Sequence, residues 1–219
     1  MPKVKVPRKS TSIDMTAMCD VAFLLLAFFI LTTKFKPAEA LSVTTPKSVS
    51  SITVEAKDVV LITMDKDGKV YFSVSDENVS EKQEIIDLVD QLKSLGLTAQ
   101  EKAAFAKSGS YVGVPFSKLK GYLNLTADQI KGYAQEGIPI KDSASNEMVT
   151  WFRAAATAFQ GTKMKIMLKG DNNAKYPSFK GVIDALKMND ILKFQLITDP
   201  EGVPAGTEMH RLQGIRKPA

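Results

Sequence analysis

A single carboxylate, Asp20, lies in the run "MTAMCDVAFLLLAFFILTT" (residues 15–33), which holds no other charged residue and no proline or glycine. As an α-helix the run would rise about 28 Å, close to the ~30 Å of a hydrocarbon core, and it is expected to span a membrane. A charged Asp near the middle of such a helix costs about 2.5–3.5 kcal/mol on insertion scales. Low dielectric penalises the ionised form of a carboxyl group, so an acid held there can take up and release a proton near neutral pH. Proton carriage is the chemistry that Asp20 could perform. At about 100° per residue, Thr16, Ala17, Phe23, Leu24, Ala27 and Leu31 fall within about 60° of it. Thr16, Ala17 and Ala27 are small and permit close approach of another helix, whereas Met18, Leu25, Leu26 and Phe29 point away. One helix cannot wall off a proton path, so the carboxylate implies partners: copies of this chain, a multi-pass protein, or both. A second reading stays open. Asp20 is six positions from Asp14, about 9 Å along the axis, and could reach water at the cytoplasmic interface.

The elements around this residue follow from charge and composition. Residues 1–12 carry Lys3, Lys5, Arg8 and Lys9 and no acid, which predicts a cytoplasmic tail. Residues 13–33 are then expected to be a single-pass helix, with the rest of the chain across the membrane, in the periplasm if the cell is a double-membraned bacterium. Cleavage at Ala38-Glu39-Ala40 is the alternative, but Asp20, Lys34 and Lys36 suit a retained anchor better. A lipoprotein reading of Cys19 fails because the apolar stretch follows the cysteine. Cys19 and His210 are the only residues of their types, which excludes a disulfide framework and a His-ligated metal site. The net charge of +5 forms no basic stripe interleaved with aromatics, so nucleic acid is not an expected partner. No nucleophile–base pair or phosphate loop is visible, and neither an enzyme nor a cofactor is expected.

Beyond the anchor, residues 34–52 are rich in Ser, Thr and Lys and predict an extended linker. A soluble domain is expected over 53–198. In "VVLITMDKDGKVYFSV" (59–74) two β-prone runs flank Asp67-Gly68, a hairpin signal; a calcium loop is excluded by the glycine position and the missing glutamate. Val70, Phe72 and Val74 alternate with Tyr71 and Ser73, as in a half-buried strand. Residues 80–96 predict a helix, with Ser80 and Gln83 as a capping box, Ile85, Leu88, Val89 and Leu92 on one face, and Gly96 as its stop. A strand over 163–171 buries Met164, Ile166 and Leu168. A helix over 176–190, opened by Pro177, carries the stripe Phe179, Val182, Ile183 and Leu186. A last strand covers 193–198. The spacing predicts a right-handed crossover and a parallel pair. The fold class is therefore α/β: one N-terminal transmembrane helix, then a two-layer β-β-α…β-α-β periplasmic domain with a mainly helical insertion over 97–162. Within the insertion, 98–107, 126–137 and 145–159 look helical, the last with Met148, Phe152, Ala155 and Phe159 on one face. Trp151 and its aromatic neighbours are read as core in preference to a partner surface. Residues 199–219 form an irregular tail.

The segment "IDMTAMCDVAFLLLAFFILTT" (13–33) resembles the membrane signature of the ExbD/TolR family, of the type h-D-M-T-P-M-h-D-h-h-F-L-L-L. It matches at Asp14, Met15, Thr16, Met18, Asp20, Phe23, Leu24, Leu25 and Leu26. It departs at Ala17, where the family has proline, and at Cys19, where it has a branched apolar residue. At lower specificity the resemblance extends to the basic N-terminus, the linker and the β-β-α…β-α-β order, but not to 97–162. It implies a non-enzymatic motor subunit driven by the proton motive force, with Asp20 as proton carrier and protons as the coupling ion. Two copies would sit within a ring of ExbB-like multi-pass subunits. The periplasmic domain would pass work to a TonB-like protein for active transport across the outer membrane. The alternatives are a TolR-like envelope-integrity subunit, whose domain binds peptidoglycan, and a passive membrane-anchored periplasmic adaptor.

Overall fold

The run from Met15 onward is uniformly rich in helix-favouring Leu, Ala, Met and Phe, and nothing in it breaks the backbone ladder. The computed structural model describes residues 15–32, 43–49, 57–107, 111–141, 145–202 and 207. These fall into two compact units that divide between Ala38 and Glu39. In the first, α1 (Met15–Thr32) is one unbroken helix of 18 residues, about 27 Å long. It ends with the Thr32 hydroxyl donating to the Phe28 carbonyl at 2.7 Å. Ala17 continues the helix without a break.

The second unit contains β1 (Lys47–Ser48), β2 (Val59–Met64), β3 (Val70–Val74), β4 (Lys165–Gly170), β5 (Gln195–Ile197) and β6 (Asp199–Pro200). Its helices are α2 (Val79–Lys93), α3 (Ala99–Lys107), α4 (Phe116–Leu123), α5 (Ala127–Gly132), α6 (Met148–Ala158) and α7 (Tyr176–Lys187). The main sheet has four strands in the order β3-β2-β4-β5. The β2–β3 pair is antiparallel, and β2–β4 and β4–β5 are parallel, the last pair joined through α7 as the strand–helix–strand spacing predicts. Alternation sets which face is apolar. Ile62 stands opposite Phe72 on one side and Leu168 on the other, and all three are fully buried. They share one core with Ile85, Ile86 and Val89 of α2, Trp151 and Phe152 of α6, and Val182 and Leu186 of α7.

The hairpin turn is held by Asp65, whose carboxylate accepts from the backbone N–H of Asp67 at 2.9 Å and of Lys69 at 2.8 Å. Gly68 supplies the left-handed backbone there, at φ +81°. Several expectations need correction. The Ser80–Gln83 capping box does not form. α2 starts one residue earlier, after Asn78, whose amide is tied to Asp58, and the Ser80 hydroxyl donates to Glu81 instead. The helix stops at Ser94, which itself takes the left-handed conformation, before Gly96 is reached. Leu92 lies exposed, and Ile86 takes the buried place on that helix. The strand expected over 193–198 shortens to β5, with Leu196 exposed. Tyr71 is buried, because Gly113 lets the insertion lie directly against its ring and Tyr111 packs edge-on at 5.3 Å.

Segment 97–162 is built into the core. Trp151 is fully buried and stacks near Phe72, Phe105 and Phe116, with ring centroids 4.9, 5.8 and 5.6 Å away. Met148, Phe152, Ala155 and Phe159 are buried on the expected face. Of the three expected helices, α5 is cut to six residues, and α4 is a helix the pattern does not announce. The described parts of the linker and the tail are also ordered against each other: β1 and β6 form a parallel pair. Asp171 holds the preceding residue stretch by accepting from the Thr44 N–H at 3.0 Å.

Gly181 shows how closely α7 meets the insertion. A Cβ there would lie 2.7 Å from the Ile140 carbonyl oxygen, and the Gly181 carbonyl already accepts from Asn146 at 2.9 Å. Gly181→Ala should therefore destabilise the fold by about 1–3 kcal/mol. A lower urea midpoint, followed by circular dichroism, is the expected reading.

Candidate functional site

Asp20 is the sixth residue of α1 and the only acidic or basic side chain in that helix. Because α1 is regular throughout, Thr16, Ala17, Phe23, Leu24, Ala27 and Leu31 do share its side. Ala27 is half-buried and the other five are exposed, as is Asp20 itself. No residue of α1 is buried, so this apolar surface is unsatisfied by the helix's own unit. α1 is long and apolar enough to cross a membrane. Asp14 and the basic tail lie outside the described residues, and so do linker residues 34–42 and 50–52. The arrangement offers a carboxyl flanked on its own face by one hydroxyl, two alanines and larger apolar groups. No cluster of metal-ligating side chains occurs among the described residues.

In the soluble unit, charge holds helices in place. The Lys102 ammonium bridges Asp87 at 2.9 Å and Asp90 at 2.8 Å, joining α3 to α2. Its hydrogen bond keeps the Asp90 carboxyl below the usual range, and the Leu97 N–H contributes to the same effect. Burial pushes the Tyr71 hydroxyl far up, reinforced by the Asp65 carboxylate to which it donates at 3.1 Å. Glu147 behaves oppositely to Asp90. Burial raises its carboxyl above the usual range, although the Phe116 N–H at 2.8 Å and the Lys93 charge oppose that.

The sign of the Glu147 effect is fixed by linkage. A carboxyl raised on folding binds its proton more tightly in the folded state, so stability is lost as pH rises through the raised value. Glu147→Gln keeps an acceptor for Phe116 and removes the buried charge. The variant should unfold at higher urea than the parent at pH 7, and the gap should close as the pH is taken to about 4. Paired urea titrations at the two pH values measure it.

A feature absent from the sequence reading is an open cleft between the β2–β3 turn, the extended chain after α5 and the start of α7. Asp67-Gly68 signalled only the turn, and nothing in the pattern brings Lys141 and Lys175 beside it.

No curated protein and no solved structure was found to match the chain. Residues 7–201 match the family described as biopolymer transport protein ExbD/TolR, a range that contains α1 with Asp20, the main sheet and the whole of 97–162. Its members are membrane-anchored transport proteins that work with membrane partners, and they are not enzymes. With the match covering most of its length, this chain belongs to the ExbD/TolR family.

Proposed function

We propose that the chain is the proton-driven motor subunit of an inner-membrane complex, with Asp20 as the group that takes a proton from the periplasmic side and releases it to the cytoplasm. The observation that carries this reading is the lone carboxylate of α1 in a chain of a biopolymer transport family. Residues 1–12 form the cytoplasmic tail, 13–33 the span and 34–52 the linker. Residues 53–198 form the periplasmic domain and 199–219 its tail. Two copies stand within ExbB-like multi-pass subunits, against which the face of Thr16, Ala17, Phe23, Leu24, Ala27 and Leu31 packs. Neutralising and re-ionising Asp20 changes how that face fits the polar lining and drives relative rotation. A membrane potential supplies about 2.3 kcal/mol per charge per 100 mV, so a few protons suffice for mechanical work. The periplasmic domain passes this work to a TonB-like protein that powers transport across the outer membrane. A TolR-like pathway, with peptidoglycan as a ligand of the domain, uses the same proton chemistry. Which periplasmic partner co-purifies distinguishes the two.

Asp20→Asn tests the reading, because it keeps the side-chain shape and removes the exchangeable proton. Transport should stop while the chain still reaches the membrane. Unimpaired transport would leave only a passive anchored adaptor.

A further inference from the structure

The insertion does more than complete the core: it forms one wall of the open cleft, a feature that the motor reading does not use. Three stretches distant in sequence meet there: the turn at Gly68 and Lys69, the extended chain from Gly137 to Lys141, and the start of α7 at Lys175 and Pro177. The cleft measures about 870 Å³. Ligand sites commonly occupy about 300–1,000 Å³. Its walls are fixed to one another. The Ile138 N–H donates to the Val70 carbonyl at 2.8 Å, the Gly137 N–H to the Gly113 carbonyl at 2.7 Å, and the Ser178 hydroxyl to the Gly68 carbonyl at 2.8 Å. The cleft is therefore present before any ligand arrives, and binding needs little reordering.

Charge gives the cleft a sign. Lys69, Lys141 and Lys175 line it, and none of them forms an ion pair among the described residues. Of the two carboxylates that line it among the described residues, Glu136 is already paired with Lys118 at 2.5 Å, which leaves Asp67 against three ammonium groups there. The first turn of α7 adds the positive end of its peptide dipoles. The floor is apolar and stiff, with Pro115, Pro139 and Pro177 beside Ile138. Among the described residues no aromatic side chain lines the cleft, so they offer sugar rings and nucleobases no stacking platform.

We propose that this cleft binds a short, extended acidic peptide segment of a partner protein, with Lys69, Lys141 and Lys175 pairing its carboxylates. The proposal does not depend on proton carriage by Asp20. It is tested with the full chain in detergent micelles and a fluorescein-labelled hexapeptide of alternating alanine and glutamate, followed by fluorescence polarisation. The counterpart with glutamine in place of glutamate should bind about tenfold more weakly or worse, as should the glutamate peptide to a Lys141→Glu, Lys175→Glu double variant. Both lysines are exposed, and circular dichroism should show the variant folded. A Lys187→Glu, Lys193→Glu control, with the same change of charge outside the cleft, should stay within about twofold of the parent. Four results would each overturn the proposal: no binding of the glutamate peptide, equal binding of the glutamine peptide, equal loss in the control, or displacement by an uncharged chitin oligosaccharide.

Discussion

An Asp20→Asn chain should insert, assemble with its membrane partners and drive no transport. Asparagine has nearly the volume of aspartic acid and keeps a carbonyl oxygen for hydrogen bonding, so packing along Thr16, Ala17 and Ala27 is preserved. What disappears is the ability to be neutral at one moment and charged at the next. At about 2.3 kcal/mol per charge per 100 mV, a group that carries no proton harvests nothing from the membrane potential. Uptake in cells whose only copy is Asp20→Asn should fall to the level of cells lacking the chain, with unchanged amounts of protein in the membrane fraction. Asp20→Glu, which keeps the carboxyl and shifts it by one methylene, should retain partial uptake. If Asp20 instead stood in water beside Asp14, the Asn variant would transport normally, and that result would end the motor reading.

Trp151→Ala should cost about 3–5 kcal/mol of folding stability. Domains of this kind are commonly stable by only about 5–15 kcal/mol, so the loss is a large fraction of the whole. Trp151 is fully buried where the sheet, through Phe72, meets α3 through Phe105 and α4 through Phe116. Its removal leaves a cavity lined by rings from three separate elements, β3, α3 and α4. Far-UV circular dichroism in urea measures the loss, since the chain has no second tryptophan to report by fluorescence. Trp151→Phe should be much milder. Among the described residues the buried indole N–H has no hydrogen-bond partner, and phenylalanine removes that donor along with part of the volume.

The parts legible in sequence are those where one pattern runs long enough to dominate. The apolar patterns of α7 and β4 pick out Val182, Leu186, Ile166 and Leu168, which are buried, although Phe179, Ile183 and Met164 of the same patterns are only half-buried, and the β-α-β spacing names a parallel pair. The interior of 97–162 was less legible because helices of six to nine residues hold their shape through packing, not propensity. Tyr71 shows the same limit. Its place in the alternation puts it on the outer face of a half-buried strand, and only the arrival of Gly113 and Tyr111 from far along the chain buries it. Asp20 stood out because a charge inside an apolar run has few explanations. Its neighbours on α1 could be named, whereas the sequence of one chain does not say what they pack against. The cleft was illegible because surface lysines look alike until folding brings three of them together.

The main-chain exchange between Phe72 and Val112, at 2.8 and 2.7 Å, together with the Ile138 N–H on the Val70 carbonyl, seals one flank of the sheet. Among the described residues, the other flank, along β5, is the one left with free main-chain groups. A body with one adhesive rim can join a single neighbour and is then saturated, whereas filament growth needs two such rims. The long segment that adds to the hydrophobic centre thus also covers the β3 edge, where another strand could otherwise attach.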